Sequence, residues 1–332
     1  MPSRRLRLRT RLTALTYVAV LVSVATVVAR AAPLSNVFGL VVAVGSPYVP
    51  LVALLAVVIS VAYRRILLSI VAVTVLVVTV AVQVPWYYFG HPADVGQHVD
   101  VRVLSSNLRK GQADAPSFVA LAKASADVIT VSELTHEEVE RFSLAGIAEA
   151  FPYSVLTPAA GAGGIGLYSR FPLVTSPTEN GRATFAAARV HVPGIRFDPQ
   201  VASVHIISPV ASDTDSFGLW RTGVTATKTA LDGFAEAAGP AAVIVAGDFN
   251  STPDMRQFRD LLTNGYGDAV EQTGAGFGPT FPSRTWHPPW ITIDHVLTRQ
   301  ATATAIRTVY INGSDHRALL ATVAVPVDPT AS

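Results

Sequence analysis

The chain of 332 residues has no cysteine, which excludes disulfides, thiolate nucleophiles and Cys-type zinc sites. Lysine is scarce, with Lys110, Lys123 and Lys228 as the whole supply. Acid is missing from the front altogether, because no Asp or Glu precedes Asp94. That stretch does hold eight arginines: Arg4, Arg5, Arg7, Arg9, Arg11, Arg30, Arg64 and Arg65. All 23 acidic residues therefore lie from Asp94 onward, against 17 of the 25 Lys+Arg, so the downstream part is net −6. The sequence pI of about 9.0 belongs to the N-terminal part, and it gives no ground for expecting nucleic acid as a partner. Internal repeats and low-complexity tracts are also lacking outside the apolar runs.

Apolar residues are abundant. They make up 50% of the chain and raise its mean hydropathy to +0.41, too high for an ordinary soluble protein. The excess sits at the front. Residues 12–32 form a run long enough to cross roughly 30 Å of hydrocarbon. A cleaved signal peptide competes with that reading, but its apolar core is usually about 7–15 residues. Residues 34–62 are apolar but interrupted by Gly45, Pro47 and Pro50, which predicts one kinked span over about 40–62; a re-entrant piece plus a shorter span is the alternative. A third run, 66–84, ends on Pro85-Trp86-Tyr87-Tyr88-Phe89, an aromatic cluster suited to a membrane–water interface. With three spans, the arginine-rich start and the Arg64/Arg65 pair both lie on the cytoplasmic side, and only Arg30 opposes the arrangement. The expectation is a multi-pass protein of the cell membrane. Its transmembrane region is 1–88, its linker 89–100, and its extracytoplasmic domain 101–326.

That domain is organised around Val243-Ile244-Val245-Ala246-Gly247-Asp248-Phe249-Asn250. A short apolar run bounded by turn residues reads as a strand buried on both faces. Its end places a carboxylate and a carboxamide two residues apart, on the same side of an extended backbone. Alone, Asp248 reads equally well as a turn cap. Other strands carry similar endings. Val101 to Ser106 leads to Asn107, Asp127 to Ser132 leads to Glu133, and Val201 to Ile206 delivers His205. Ile291 to Thr298 carries Asp294 and His295, and Ser314-Asp315-His316 precedes a last strand, Ala318 to Val325. Further strands are expected at Ile165–Ser169, after a glycine-rich turn, at Phe185–Val192 and at Ala303–Ile311. Helices are expected from Asp114, its cap, to Ser125, over Thr135–Ala145 with Glu137, Glu138 and Glu140 solvated, over Leu219–Ala238 and over Met255–Thr263. Sheets covered by helices follow from this strand-rich pattern. Polar residues converging on one sheet edge would form a site.

The ordered set Asn107, Glu133 (in Ser-Glu-Leu), His205, Gly247-Asp248-Phe249-Asn250, Ile293-Asp294-His295 and Ser314-Asp315-His316 resembles the endonuclease/exonuclease/phosphatase superfamily over about residues 100–325. Three spans before such a domain also resemble its bacterial membrane-anchored branch, including proteins linked to teicoplanin-type resistance. The resemblance implies an α/β fold, a four-layer α/β sandwich of two mixed β-sheets flanked by helices, here preceded by a transmembrane helical region. It implies Mg²⁺, with Mn²⁺ as the alternative, held by Glu133 with Asn107 and Asp315. It makes Asp248 the group that orients or deprotonates water, and Asn250 a donor to phosphoryl oxygens. His205 would contact the scissile phosphate, although a strand histidine is more often structural. Asp294 and His316 would form an Asp–His pair that keeps the imidazole charged. Asn107 and Arg221 would touch substrate, although a helix-surface arginine is the commoner reading of Arg221, and His295 would be packing. The family usually has Gln before its metal glutamate; Ser132 stands there in this chain.

The expected activity is metal-dependent phosphoester or pyrophosphate hydrolysis. DNA binding needs several Lys/Arg–phosphate contacts, which a domain of net −6 supplies poorly. A lipid-linked phosphate is therefore the preferred substrate and membrane lipids the expected surroundings, with no protein partner inferred. The loop Phe277 to Trp290 is aromatic and proline-rich, and it reads either as an interfacial element or as a packed loop. An extracellular nuclease is the second reading, and a non-catalytic binding domain the third.

Overall fold

The computed structural model describes residues 4–331 apart from 95, 179, 180, 182 and 212–214, so Val95 of the expected linker lies outside the described residues. By its internal contacts the chain divides into Met1–Trp86 with Pro253–Arg259, and Tyr87–Thr252 with Asp260–Ser332.

The first unit is helical: α1 (Arg4–Ala31), α2 (Val37–Val44), α3 (Val49–Ala62) and α4 (Ile66–Tyr88). Two helices are long and apolar enough to cross a membrane, Arg7–Ala31 and Ile66–Tyr88. The segment between them is bent by 41° where α2 meets the turn into α3. The bend falls just after Gly45, where Pro47 has no N–H to continue the helical hydrogen-bond ladder. Asn36 starts α2 by accepting the Gly39 N–H at 2.9 Å, as a side-chain cap should. Small residues (Ala19, Ala56, Ala72) let α1, α3 and α4 approach closely. Large apolar side chains face outward instead, Leu21 at 66%, Phe38 at 79% and Leu67 at 81% exposure.

The second unit has two six-stranded sheets. The first contains β1 (His98–Asn107), β2 (Val128–Ser132), β3 (Tyr153–Thr157) and β4 (Ile165–Ser169). The second contains β5 (Leu173–Thr175), β6 (Ala183–Val190), β7 (Gln200–Ile206), β8 (Val243–Asp248), β9 (Gly267–Asp268) and β10 (Asp294–Arg299). The remaining strands, β11 (Thr302–Tyr310) and β12 (Arg317–Pro326), complete the first sheet in the order β11-β12-β1-β2-β4-β3. The second runs β5-β6-β7-β8-β10-β9. Both mix parallel and antiparallel neighbours.

Period-two alternation explains the layers. Val101, Val103 and Val128 of one sheet and Ala186, Val201, Ile244 and Val296 of the other meet in a single core between the sheets. The opposite face of the first sheet, with Leu104 and Ile129, packs on Phe118 and Phe142. Those two rings belong to α5 (Ala115–Ser125) and α6 (His136–Leu144), capped by Asp114 and Thr135. Behind the second sheet lies α7 (Ser216–Ala238), whose Phe234 meets Phe185 edge-on. The result is the four-layer α/β sandwich with mixed sheets.

One surface expectation is corrected. Glu138 is fully buried, where burial pushes its carboxyl up against the pull of Arg141. Arg141 Nε donates to it at 2.7 Å. The helix face toward Gly111 is covered, and the acidic run concealed that.

Candidate active site

The expected polar residues continue the inward-facing rows of the core. Val101 and Val103 lead to Asn107, Val201 to His205, Ile244 and Ala246 to Asp248, and Val296 back to Asp294. Each row is apolar inside the sandwich and polar at one end of it. Register then aligns them, since His205 pairs with Asp248 across the parallel β7–β8 ladder and Asp248 with Asp294 across β8–β10. Asn107 pairs with Ser132 in the facing sheet, one residue before Glu133. Gly247 is obligatory for the β7–β8 approach, because a Cβ there would lie 1.9 Å from the Val204 carbonyl.

Hydrogen bonds tie the two sheets' contributions together. Asn107 Nδ2 donates to Asp248 Oδ2 at 3.0 Å and to Glu133 Oε1 at 3.2 Å. Glu133 Oε2 accepts the Lys110 N–H at 2.8 Å. Glu133 and Asn250 adopt left-handed backbone conformations, φ 57° and 46°, which cost free energy and survive where the surroundings over-determine them. His316 Nδ1 lies 2.9 Å from Asp294 Oδ2, and its Nε2 faces Asp248 at 3.8 Å. His205 Nδ1 bonds the Ala162 carbonyl at 3.1 Å; a carbonyl only accepts, so Nδ1 carries the proton. His205 Nε2 then faces Asp248 at 3.8 Å and Glu133 at 3.9 Å.

Electrostatics follow from this crowding. Burial, and then Asp294, pushes the Asp248 carboxyl up to about 6, while His316 and His205 pull the other way. For His316, burial disfavours the cation, but Asp294 and Asp248 outweigh it and raise the imidazole to about 10. A value that high leaves His316 charged at neutral pH.

Asp248, Asp294 and His316 form a buried group whose ligand atoms lie within 4.8 Å of one another. Two facing carboxylates, one of them raised by burial and then by the other's charge, form a donor set that a divalent cation would relieve. Glu133 adds carboxylate oxygens close to Asp248, linked to it through the Asn107 amide, so hard-cation chemistry fits these residues.

Some expected residues sit elsewhere or act differently. Asn250 spends its amide on the Ile206 carbonyl at 2.8 Å and Asp248 Oδ2 at 3.3 Å, and its N–H on Asp248 Oδ1 at 2.8 Å. It therefore holds Asp248. Asp315 is partly exposed and lies 3.7 Å from Arg109 Nε. Arg221 is exposed on α7, outside this bonded set. Sequence reasoning missed Arg109, Phe281 (4.7 Å from the His316 ring) and Asp268. Asp268 holds His295 Nδ1 at 2.7 Å and caps the short helix α8 (Ala269–Thr273). The Gly-Asp pair before that helix was the available signal.

A four-layer sandwich with acids and histidines at one end of its inter-sheet core defines a class of metal-dependent phosphoester hydrolases. Residues 104–316 match the model of the Endonuclease/Exonuclease/phosphatase family, and the chain belongs to that family. No curated protein matches the sequence. Among solved structures, the fold resembles humanized D. rerio TDP2 at 19% identity and TM-score 0.53, over 68% of this chain and 98% of that one. It also resembles an endonuclease/exonuclease/phosphatase family protein from Bacteroides thetaiotaomicron, at 14% identity and TM-score 0.52, over 69% and 99%. A third is the Neisseria 3′ phosphatase NExo bound to a product DNA hairpin, at 18% identity and TM-score 0.53, over 67% and 98%.

Proposed function

We propose that the protein is a membrane-anchored, Mg²⁺-dependent phosphohydrolase whose domain lies outside the cytoplasm and acts on a lipid-linked phosphate or pyrophosphate. The observation that carries the hydrolytic part is the buried Asp294–His316–Asp248 arrangement, with Asn107 and Glu133 beside it. Outward-facing Leu21, Phe38 and Leu67 support the membrane part, because a soluble unit rarely exposes contiguous apolar surface of that kind.

The residues have separable tasks. Glu133, Asn107 and Asp248 would hold the cation, Asp315 remaining a more exposed candidate, and Mg²⁺ bound there would neutralise charge on a phosphoryl oxygen. Asp248, ionised, orients or deprotonates the attacking water, and Asn250 fixes its rotamer. His316, kept cationic by Asp294, donates to the oxygens that gain charge. His205 faces the same space from β7, and Arg221 is offered only as an outlying phosphate contact.

The lipid assignment draws on a loop beginning beside the site. Phe281 lies against His316 and the Ser283 N–H donates to the Asp315 carbonyl at 2.6 Å. Further along, Trp286 is 74% and Trp290 43% exposed, which suits an apolar substrate or interface. The acidic balance from Asp94 onward disfavours long polyanions. Nuclease activity is the second reading, favoured by the DNA hairpin bound to the Neisseria relative.

Full-length protein in lipid nanodiscs should release phosphate from a polyprenyl pyrophosphate in a Mg²⁺-dependent way, and Asp248→Ala should abolish it. Cleavage of DNA with inert lipids would replace the lipid reading by the nuclease. Loss of neither activity in Asp248→Ala would remove the site itself.

A further inference from the structure

The helical unit contains a buried polar cluster that a simple anchor does not require. Arg30 is 9% exposed, Gln83 6%, Ser46 4% and Asp254 0%. Ionisable groups among apolar helices are costly, are paired when present, and mark function by default. Arg30 Nε lies 3.4 Å from Asp254 Oδ1. Its Nη2 donates to the Val82 carbonyl at 2.9 Å and its Nη1 to the Pro253 carbonyl at 3.3 Å. Gln83 Nε2 donates to Asp254 Oδ1 at 2.7 Å and to Ser46 Oγ at 2.8 Å. Arg259 donates to the Pro253 and Arg30 carbonyls at 2.7 and 2.5 Å. Gln257 bonds the Leu34 backbone both ways, at 2.9 and 3.1 Å. Met255 and Phe258 are buried beside these groups.

The segment held this way, Pro253–Arg259, is counted with the helices by its contacts, yet it begins three residues after Asn250 in the chain. A tether would need apolar length and no grip on one loop. The turn just upstream does need holding, because Asn250 is left-handed there and its bonds set Asp248. Ser251, the next residue, is itself fixed by His295 Nε2 on its carbonyl at 2.9 Å and by Trp220 Nε1 on its hydroxyl at 3.0 Å. Polar restraints thus lie on both sides of Thr252, on Ser251 before it and on Pro253 after it.

We propose that Arg30, supported by Gln83 and Ser46, is a positioning residue of the hydrolytic site, acting through Asp254 on the turn that carries Asp248 and Asn250. The catalytic arm of this proposal rests on the hydrolase reading above; a second arm does not.

The test uses full-length protein in nanodiscs, as wild type, Arg30→Met, the neutral double variant Arg30→Met/Asp254→Leu and the reversed pair Arg30→Asp/Asp254→Arg. The neutral double variant is included because replacing both partners of a buried pair generally leaves a fold intact. Hydrogen exchange over residues 248–252 should rise about tenfold in Arg30→Met and in the neutral double variant, with other peptides of the second unit unchanged. For bis-p-nitrophenyl phosphate, kcat should fall about tenfold at constant KM, as expected for small misplacement of a reacting group. The reversed pair should recover part of both. Unchanged exchange over 248–252 in a folded neutral double variant overturns the proposal, and so does a rise spread evenly over all peptides. If wild type hydrolyses nothing, the hydrolase reading fails while exchange still decides the positioning.

Discussion

Consecutive residues of β10 build two Asp–His pairs with opposite fates. Asp294 faces the inter-sheet core and meets His316 at 2.9 Å, whose second nitrogen remains turned toward Asp248 at 3.8 Å. His295 points to the other face and meets Asp268 at 2.7 Å, and its second nitrogen is closed off on the Ser251 carbonyl at 2.9 Å. Both imidazoles are buried and both have a carboxylate. Only one has a nitrogen left for a substrate. The difference lies in strand periodicity, since one residue along the backbone exchanges the cleft face for the covered face. Residue type alone therefore does not separate a reactive histidine from a structural strut.

The contrast predicts split outcomes for matched substitutions. The largest effect is expected at the open pair, where His316→Ala should lower kcat by about 10³-fold, in the range for removing a preorganised charge-stabilising donor, and should also cost stability because Asp294 is left buried without its partner. At the closed pair, His295→Ala should cost about 3 kcal/mol of stability, because Asp268 is left buried without its partner. Its kcat per folded molecule should stay within about threefold of wild type. Denaturant melts and initial rates on both variants check this. Equal rate losses would erase the distinction.

pH should also separate the pairs. Hydrolysis needs ionised Asp248 and cationic His316, so kcat/KM at low metal should rise through about pH 6 and decline toward about pH 10. Saturating cation favours the carboxylate and should shift the acid limb lower. His295→Ala should leave both limbs in place, which a pH–rate profile tests directly.

The smallest effect concerns stability without metal. Asp248 is raised above its unfolded value, so its contribution is fully present below about pH 4 and is lost as pH rises through about 6. At pH 8, Asp248→Asn should therefore melt a few degrees higher than wild type, while being inactive. A calorimetric scan with chelator present measures it, and a lower melting temperature would contradict the reading of Asp248.

Much of this was legible beforehand. The apolar runs ending in Asn107, His205 and Asp248 are local signals, and strand type follows from local pattern. The edge strands β3, β5 and β9 were not legible, being short and only partly apolar. The bend between α2 and α3 was foreseeable from Gly45 and Pro47; the burial of Glu138 was not, because its cover comes from another part of the chain. Asn250 was expected to face substrate. Its amide is bound to Ile206, a partner 44 residues away.

The sequence by itself determined which residues could carry the chemistry, since alternation and turn residues are properties of neighbours along the chain. It also determined the acid-free apolar front, which composition alone reveals. Tertiary structure decided which carboxylate met which imidazole, and that Pro253–Arg259 joined the helices around Arg30. Those outcomes depend on register and on contacts between residues far apart in sequence, where no local pattern specifies the partner.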